Sequence, residues 1–182
     1  MIKKYGFKLS FGIFFAACII GWIYEVALGF IYGLGFENRG FLFGPYLPIY
    51  GIGAIIIIAC FGSLKEKECR LGKVNIMPFN VFWIITVVCT VLEYIAAVIL
   101  ENLLDKKFWD YSDRFLNFQG RISFRTSITF GFIGIAFLYI ILPIIKRLYN
   151  KLSPKAQSII TYSLLSVMLL DFIIAVVNVV LL

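Results

Sequence analysis

Histidine is missing from the whole 182-residue chain. Its absence excludes histidine-based catalytic triads, imidazole-ligated metals and histidine proton relays. Cysteine is scarce. Cys18, Cys60 and Cys89 lie inside apolar runs and Cys69 lies in a charged connector, so neither a zinc site nor a disulfide framework is expected and no metal or cofactor is assigned. The string G-x-x-x-x-G-K-[ST] does not occur, so the chain has no phosphate-cradling loop of that kind with which to hydrolyse a nucleotide. Charge is also thin, at 15% of residues against about a quarter in soluble proteins.

What fills the chain instead is apolar: 62% of it is hydrophobic and 18% aromatic. A soluble fold of this size cannot hide that much apolar surface, because much of a small protein's surface stays in contact with water. Lipid must therefore be the solvent for part of it. The net charge of +7 does not point to nucleic acid, since the cations sit in short clusters between apolar runs. That pattern is the positive-inside signature of a multi-pass membrane protein.

Runs long enough to cross a bilayer fall at 11–34, 41–64, 78–104, 127–145 and 159–182. The reading is an all-α integral membrane protein of five transmembrane helices, one transmembrane domain over 1–182. The apolar run continues past Cys18 to Leu34, which argues against a cleaved leader. Lys3, Lys4 and Lys8, then Lys65, Lys67, Arg70 and Lys73, then Lys146, Arg147, Lys151 and Lys155 mark the cytoplasmic segments. The remaining connectors mix signs: Glu37 with Arg39, and Glu101, Asp105, Asp110 and Asp113 with Lys106, Lys107, Arg114 and Arg121. The N-terminus is thus expected inside and the C-terminus outside, in a bacterial cell membrane.

The first two runs and the next two each make an outward-opening hairpin. Each hairpin carries one glutamate in its first helix, Glu25 or Glu93, and an Asn/Arg/Gly group before its second, Asn38-Arg39-Gly40 or Asn117 with Gly120-Arg121. This suggests a weak parallel duplication of the kind found in transporters, although turns favour Asn and Gly in any case.

Glu25 lies roughly 14 Å below the end of its run at 1.5 Å per residue. A charge at that depth costs about 2.5–3.5 kcal/mol on insertion scales and is a functional-site hypothesis by default. Ala17, Gly21, Glu25, Gly29 and Gly33 recur every four residues, a small-residue stripe that lets helices approach and points the acid inward. Glu93 repeats the arrangement, with Cys89 and Ala97 on its face and Thr86 and Thr90 nearby. A purely structural role, with arginine or backbone donors holding each carboxylate, weighs equally. The stretch 38–51, with Pro45 and Pro48 among glycines, predicts broken helix of the sort tolerated at membrane depth only where it is buried or lines a cavity. The bland alternative starts a helix at Pro45 that Pro48 kinks. Arg121 and Arg125, four apart, are expected to share a helix face and to neutralise a glutamate or bind a phosphate or carboxylate. Asp171, with Asn178 on its face, needs a polar partner. Trp22, Tyr24, Tyr46, Tyr50, Trp83 and Tyr94 read as packing and interface anchors.

The strings G-W-I-Y-E (21–25), N-R-G-F-L-F-G-P-Y-L-P-I-Y-G (38–51), L-E-Y (92–94), W-D-Y-S-D (109–113) and N-F-Q-G-R-I-S (117–123) resemble the type IV, CmpB-like ABC-transporter permease family of small bacterial membrane proteins. The resemblance implies that Glu25, Asn38, Arg39, Gly40, Gly44, Pro45, Pro48, Glu93, Asp110, Asp113, Asn117, Gly120 and Arg121 are signature positions. It also implies transport, which without a nucleotide-binding motif would need a separate ATPase subunit; five spans are few for a whole pathway, so a homo-oligomer or partner subunits are expected. The expected substrate-binding set is Glu25, Asn38, Arg39, Glu93, Asn117, Arg121 and Arg125. Two other readings compete with transport: a membrane enzyme or lipid-binding protein acting on a lipid or envelope precursor at the outer face, and a structural partner in an envelope complex.

Overall fold

The computed structural model describes residues 2–104, 107 and 109–181; Asp105 and Lys106, assigned above to a mixed-charge connector, lie outside the described residues. Most of the described residues are helical: α1 (Ile2–Ile31), α2 (Pro48–Phe61), α3 (Met77–Leu104), α4 (Phe124–Ala136), a π-helical turn (Phe137–Ile141), α5 (Leu142–Asn150) and α6 (Pro154–Leu181). Two-stranded ribbons β1 (Arg70–Leu71) with β2 (Val74–Asn75), and β3 (Asn117–Phe118) with β4 (Ile122–Ser123), close two connectors.

Among the described residues four helices are long and apolar enough to cross a membrane: Tyr5–Ile31, Met77–Leu103, Phe124–Asn150 and Pro154–Asn178. The second expected span differs. Residues 41–47 are not helical, and α2 begins only at Pro48 and runs 14 residues, roughly 21 Å at 1.5 Å per residue. That is short of a hydrocarbon core of about 30 Å. The physical reason lies in the prolines: Pro48 suits a first helical turn, where its missing N–H is no loss, and it biases Leu47 away from helix. The broken-helix expectation for this stretch therefore holds over 41–47, and the helix does not start at Pro45.

The π-helical turn also has a local cause. Pro143 offers no N–H and its ring crowds the carbonyl four residues back, so the helix widens just before it. Lys65 then donates through Nζ to the Leu138 carbonyl at 2.6 Å and lies 5.3 Å from the centre of the Tyr139 ring.

The chain divides into two compact units, Met1–Ala59 with Leu142–Leu182, and Cys60–Ile141. In the first, α1 packs on α5 and α6. Its core gathers Cys18, Leu42, Tyr46 and Ala175, with Phe14, Phe15, Ile19 and Met168 against them. The glycines are where contact is closest. A Cβ on Gly51 would sit 2.6 Å from the Phe14 ring, one on Gly12 would sit 2.8 Å from Tyr149, and one on Gly21 would overlap the Tyr50 ring. In the second unit α3 packs on α4, with Gly131 against Phe82 and Thr86 and Gly134 against Ile85. Ser123 starts α4 with a capping box closed by Thr126, which satisfies two of the first turn's free donors.

Candidate functional site

Each unit ties a glutamate of its long helix to a tyrosine, Glu25 of α1 in one and Glu93 of α3 in the other. In the first unit Glu25 lies on the stripe face of α1. Gly21, one turn before it, meets the Tyr50 ring, and Gly29, one turn after it, meets the Arg39 guanidinium, 3.1 Å from where a Cβ would stand. Tyr50, two residues into α2, donates its hydroxyl to Glu25 Oε1. α1 ends at Ile31 rather than Leu34, so Glu25 is only six residues, roughly 9 Å, from the helix end.

The loop above it is tied down from several sides. Trp22 donates through Nε1 to Asn38 Oδ1 at 2.7 Å, and Asn38 donates through Nδ2 to the Phe43 carbonyl at 3.0 Å. Leu47 donates its N–H to the Cys18 carbonyl at 3.0 Å. Arg39 pairs through Nη1 with Glu37 at 3.0 Å, while its buried Nε has no hydrogen-bond partner among the described residues. The partner Asp171 needs is this same loop: its carboxylate accepts from Phe43 N–H at 3.0 Å, Gly44 N–H at 2.9 Å and the Tyr46 hydroxyl at 2.5 Å. Asn178, placed on the same face from the sequence, is exposed.

In the second unit Glu93 sits in α3 and Tyr111 donates its hydroxyl to Oε1 at 3.2 Å. The other carboxylate oxygen, Oε2, is buried with no hydrogen-bond partner among the described residues. Thr86 and Thr90 spend their hydroxyls on the carbonyls of Phe82 and Thr86, one turn back. Tyr111 is pushed up to about 12, chiefly by burial and secondarily by the Glu93 charge, so its phenol stays a donor across the physiological range.

Arg121 is not on a helix. It follows the turn at Gln119 and Gly120, whose φ values are 56° and 69°, while α4 starts at Phe124. The expected Arg121–Arg125 helix face therefore does not form, because the glycine-bearing hairpin turn, not the helix, takes residues 119–121. Arg121 instead grips Glu101, with Nε at 2.9 Å and Nη2 at 2.6 Å from Oε2, bonds Gln119, and lies 5.8 Å from the centre of the Tyr94 ring. The Glu101 contact comes first among the causes that push the guanidinium above its ordinary value. Arg125 is exposed. Asn117 closes its own loop by donating to the Ser112 and Arg114 carbonyls at 2.9 and 3.0 Å and accepting from Gly120 N–H at 3.2 Å.

Among the described residues no cluster of three or more metal-ligating side chains occurs. Asp110 holds a turn, accepting from Ser112 N–H at 2.9 Å and Ser112 Oγ at 2.5 Å, with Lys107 at 3.6 Å. The Ser112 hydroxyl and amide hold its carboxyl below the ordinary aspartate value. A depressed folded value means that the turn's support is full above the ordinary value near pH 4. That support is lost as pH falls through the lower folded value. Hydrogen exchange at Ser112 and Tyr111 should accordingly stay slow at pH 5 and quicken below the ordinary aspartate range. In Asp110→Asn it should be fast at both.

The model of the family described as "Putative ABC-transporter type IV" matches residues 12–176. The chain belongs to this family. The match takes in Glu25, the 38–51 loop, Glu93, the 109–121 loop and Asp171, so both glutamate-bearing units and the Asp171 tether are inside the family's shared sequence. Neither the curated proteins nor the solved structures yield a match to the chain. As a member of an ABC-transporter-related family with several long apolar helices, the chain is a membrane protein.

Sequence reasoning found the carboxylates but not what holds them. Tyr46 and Tyr50 read as anchors, Tyr111 stood only in the W-D-Y-S-D string, and Glu101 read as one charge of a mixed-sign connector. The signal that was available is the coincidence of tyrosines with the two signature loops.

Proposed function

We propose that the chain is a permease-like transporter component of a bacterial cell membrane that presents polar groups to the outer face, Glu25, Asn38 and Arg39 in one unit and Glu93, Asn117, Arg121 and Arg125 in the other. One observation carries the reading: Glu25 and Glu93, each inside a long apolar helix, are each held by a tyrosine hydroxyl, with no cation bonded to either among the described contacts. An acid kept only to lock elements together would be expected to take an arginine or backbone amides, as Asp171 takes the amides of Phe43 and Gly44, and among the described contacts neither glutamate does. The neutral partner leaves the negative charge available to a passing substrate, as carboxylates on a translocation path require. Broken helix at 41–47 supports the same reading, since irregular backbone at membrane depth is tolerated where it lines a cavity.

In this reading α2, together with its flanking residues, completes a fifth crossing. The lysine-rich connectors face the cytoplasm, and the two glutamate hairpins are parallel copies within a single transmembrane domain. Energy comes from a separate ATPase subunit or from the coupled movement of an ion, and a homo-oligomer would enlarge so small a pathway. The alternative, an enzyme or lipid-binding protein acting on an envelope precursor, draws support from Arg39, whose buried Nε lacks a partner among the described residues and suits a phosphate.

The test is uptake. Right-side-out membrane vesicles with and without the protein would be offered a cell-extract mixture of small metabolites, and their lumenal contents compared by mass spectrometry. At least one solute class should accumulate only with the protein, and its accumulation should fall at least tenfold in Glu25→Gln. A lumenal content that is the same with and without the protein contradicts transport. A new lipid product in the membrane fraction instead favours the enzyme.

A further inference from the structure

We infer that the corner where α1, α5 and α6 of the first unit meet, centred on Lys8 and Lys146, holds the phosphate headgroup of an anionic phospholipid. This site lies apart from the transport reading, and neither transport nor orientation enters it. The corner is rich in cations and empty of acids. No aspartate or glutamate occurs over 1–24 or 142–170, while the first segment carries three lysines and the second carries four lysines and arginines. The acids of this unit are Glu25, Glu37 and Asp171. All are engaged elsewhere: Glu25 with Tyr50, Glu37 with Arg39, and Asp171 with the 43–46 loop.

Close contacts bring the three helices together here. The Tyr149 ring of α5 stands against Gly12 of α1, where a Cβ would be 2.8 Å away, and its hydroxyl bonds that of Thr161 of α6 at 3.0 Å. A lysine or its partner stands about one turn along each helix from these contacts. Lys8 of α1 donates through Nζ to Ser158 Oγ of α6 at 2.6 Å. Lys146 of α5 has its Nζ 4.7 Å from the centre of the Tyr5 ring of α1. Both lysines are half-buried, and among the described contacts both have neutral partners. An ammonium carries three donors, so each keeps charge and hydrogen-bonding capacity for an anion. Lys155, three residues before Ser158, shares the side of α6 that Lys8 reaches, and it is exposed.

The flanks fit a lipid better than a soluble acid. Phe7 beside Lys8, Ile144 and Leu148 on either side of Lys146, and Ile159 beside Ser158 are all exposed. A molecule that satisfies both the cations and these side chains has an anionic head and apolar chains. Lysines lay their stems along apolar surface and keep their charge at its polar edge, and anionic lipids gather at such juxtamembrane clusters. A surplus of lysine alone does not single the corner out. The 65–73 connector also carries four cations, yet Glu66 and Glu68 stand among them, and Arg70 pairs with Glu68 at 2.7 Å. Charge complementarity therefore favours the α1, α5 and α6 corner.

Lipid retention by the full chain tests the site. The protein would be immobilised in detergent with equimolar phosphatidylglycerol and phosphatidylcholine at fixed ionic strength, washed, and its bound lipid counted per chain by mass spectrometry. Phosphatidylglycerol should saturate and be retained at least fivefold over phosphatidylcholine. Lys8→Gln with Lys146→Gln should remove most of that preference. Lys67→Gln with Lys73→Gln, the same loss of charge in the other unit, should leave it unchanged. No preference for phosphatidylglycerol, or the same retention in the two double variants, overturns the inference. If the first double variant does not fold, Lys155→Gln takes its place: a severalfold loss is expected, and an unchanged preference overturns the inference. Displacement of the lipid by inorganic phosphate at matched ionic strength would assign the corner to a soluble anion and overturn the lipid. Because retention is read without transport, the result stands whether or not uptake is seen.

Discussion

Replacing Asp171 with alanine is expected to destabilise the protein by about 2–5 kcal/mol, the largest loss of any single polar substitution. The carboxylate is the common acceptor for two backbone amides and one phenol of the 43–46 loop, and Asp171 is only 9% exposed. An orphaned buried donor costs about 1–3 kcal/mol. A single side-chain bond within a membrane averages about 0.6 kcal/mol, which sets the expectation for Tyr46→Phe. Reversible unfolding in mixed detergent micelles would measure both, and the double variant should lose less than the sum, since the two changes remove one shared interaction. An Asp171→Ala protein as stable as wild type would show that the loop is held by its apolar contacts alone, chiefly Tyr46 and Leu42 in the α1–α6 core.

The second large effect is expected at Gly131. A Cβ there would stand 2.6 Å from the Phe82 ring and would overlap the Thr86 hydroxyl. Both neighbours lie on α3, and Thr86 is buried, so neither can move without shifting the helix. Gly131→Leu should force α3 and α4 apart at a cost of roughly 1–3 kcal/mol or more. Gly53, with nothing within 4 Å of a Cβ, provides the contrast: Gly53→Leu in α2 should leave the melting temperature nearly unchanged. Equal effects at the two positions would mean that the α3–α4 approach is looser than these distances describe.

The helices were legible in the sequence because hydropathy over twenty residues reports helix and membrane together. The runs at 78–104 and 159–182 correspond closely to α3 and α6. The same measure misplaced the second run for a physical reason: Phe41–Leu47 is as apolar as a helix would be, and composition does not register that Pro48 sets the helix start. The acids were legible too, since one carboxylate in an apolar run stands out at sight. Their partners were not. Tyr50 is 25 positions from Glu25 and Asp171 is 128 from Phe43, and which side chain crosses such a gap depends on helix packing that no local pattern encodes. Arg121 shows the converse error, where four-residue spacing to Arg125 suggested a shared face although Gly120 had already committed the chain to a turn.

The claim that the polar groups face outward is tested most directly by thiol accessibility. In a protein with Cys18, Cys60 and Cys89 changed to alanine, native Cys69 reports on the α2–α3 connector, and Asp113→Cys reports on the loop over Glu93. The account predicts that a membrane-impermeant thiosulfonate labels the cysteine at 113 in intact cells and reaches Cys69 only after permeabilisation. Labelling of Cys69 in intact cells, with position 113 protected until the membrane is opened, would invert the orientation and contradict outward-facing polar groups.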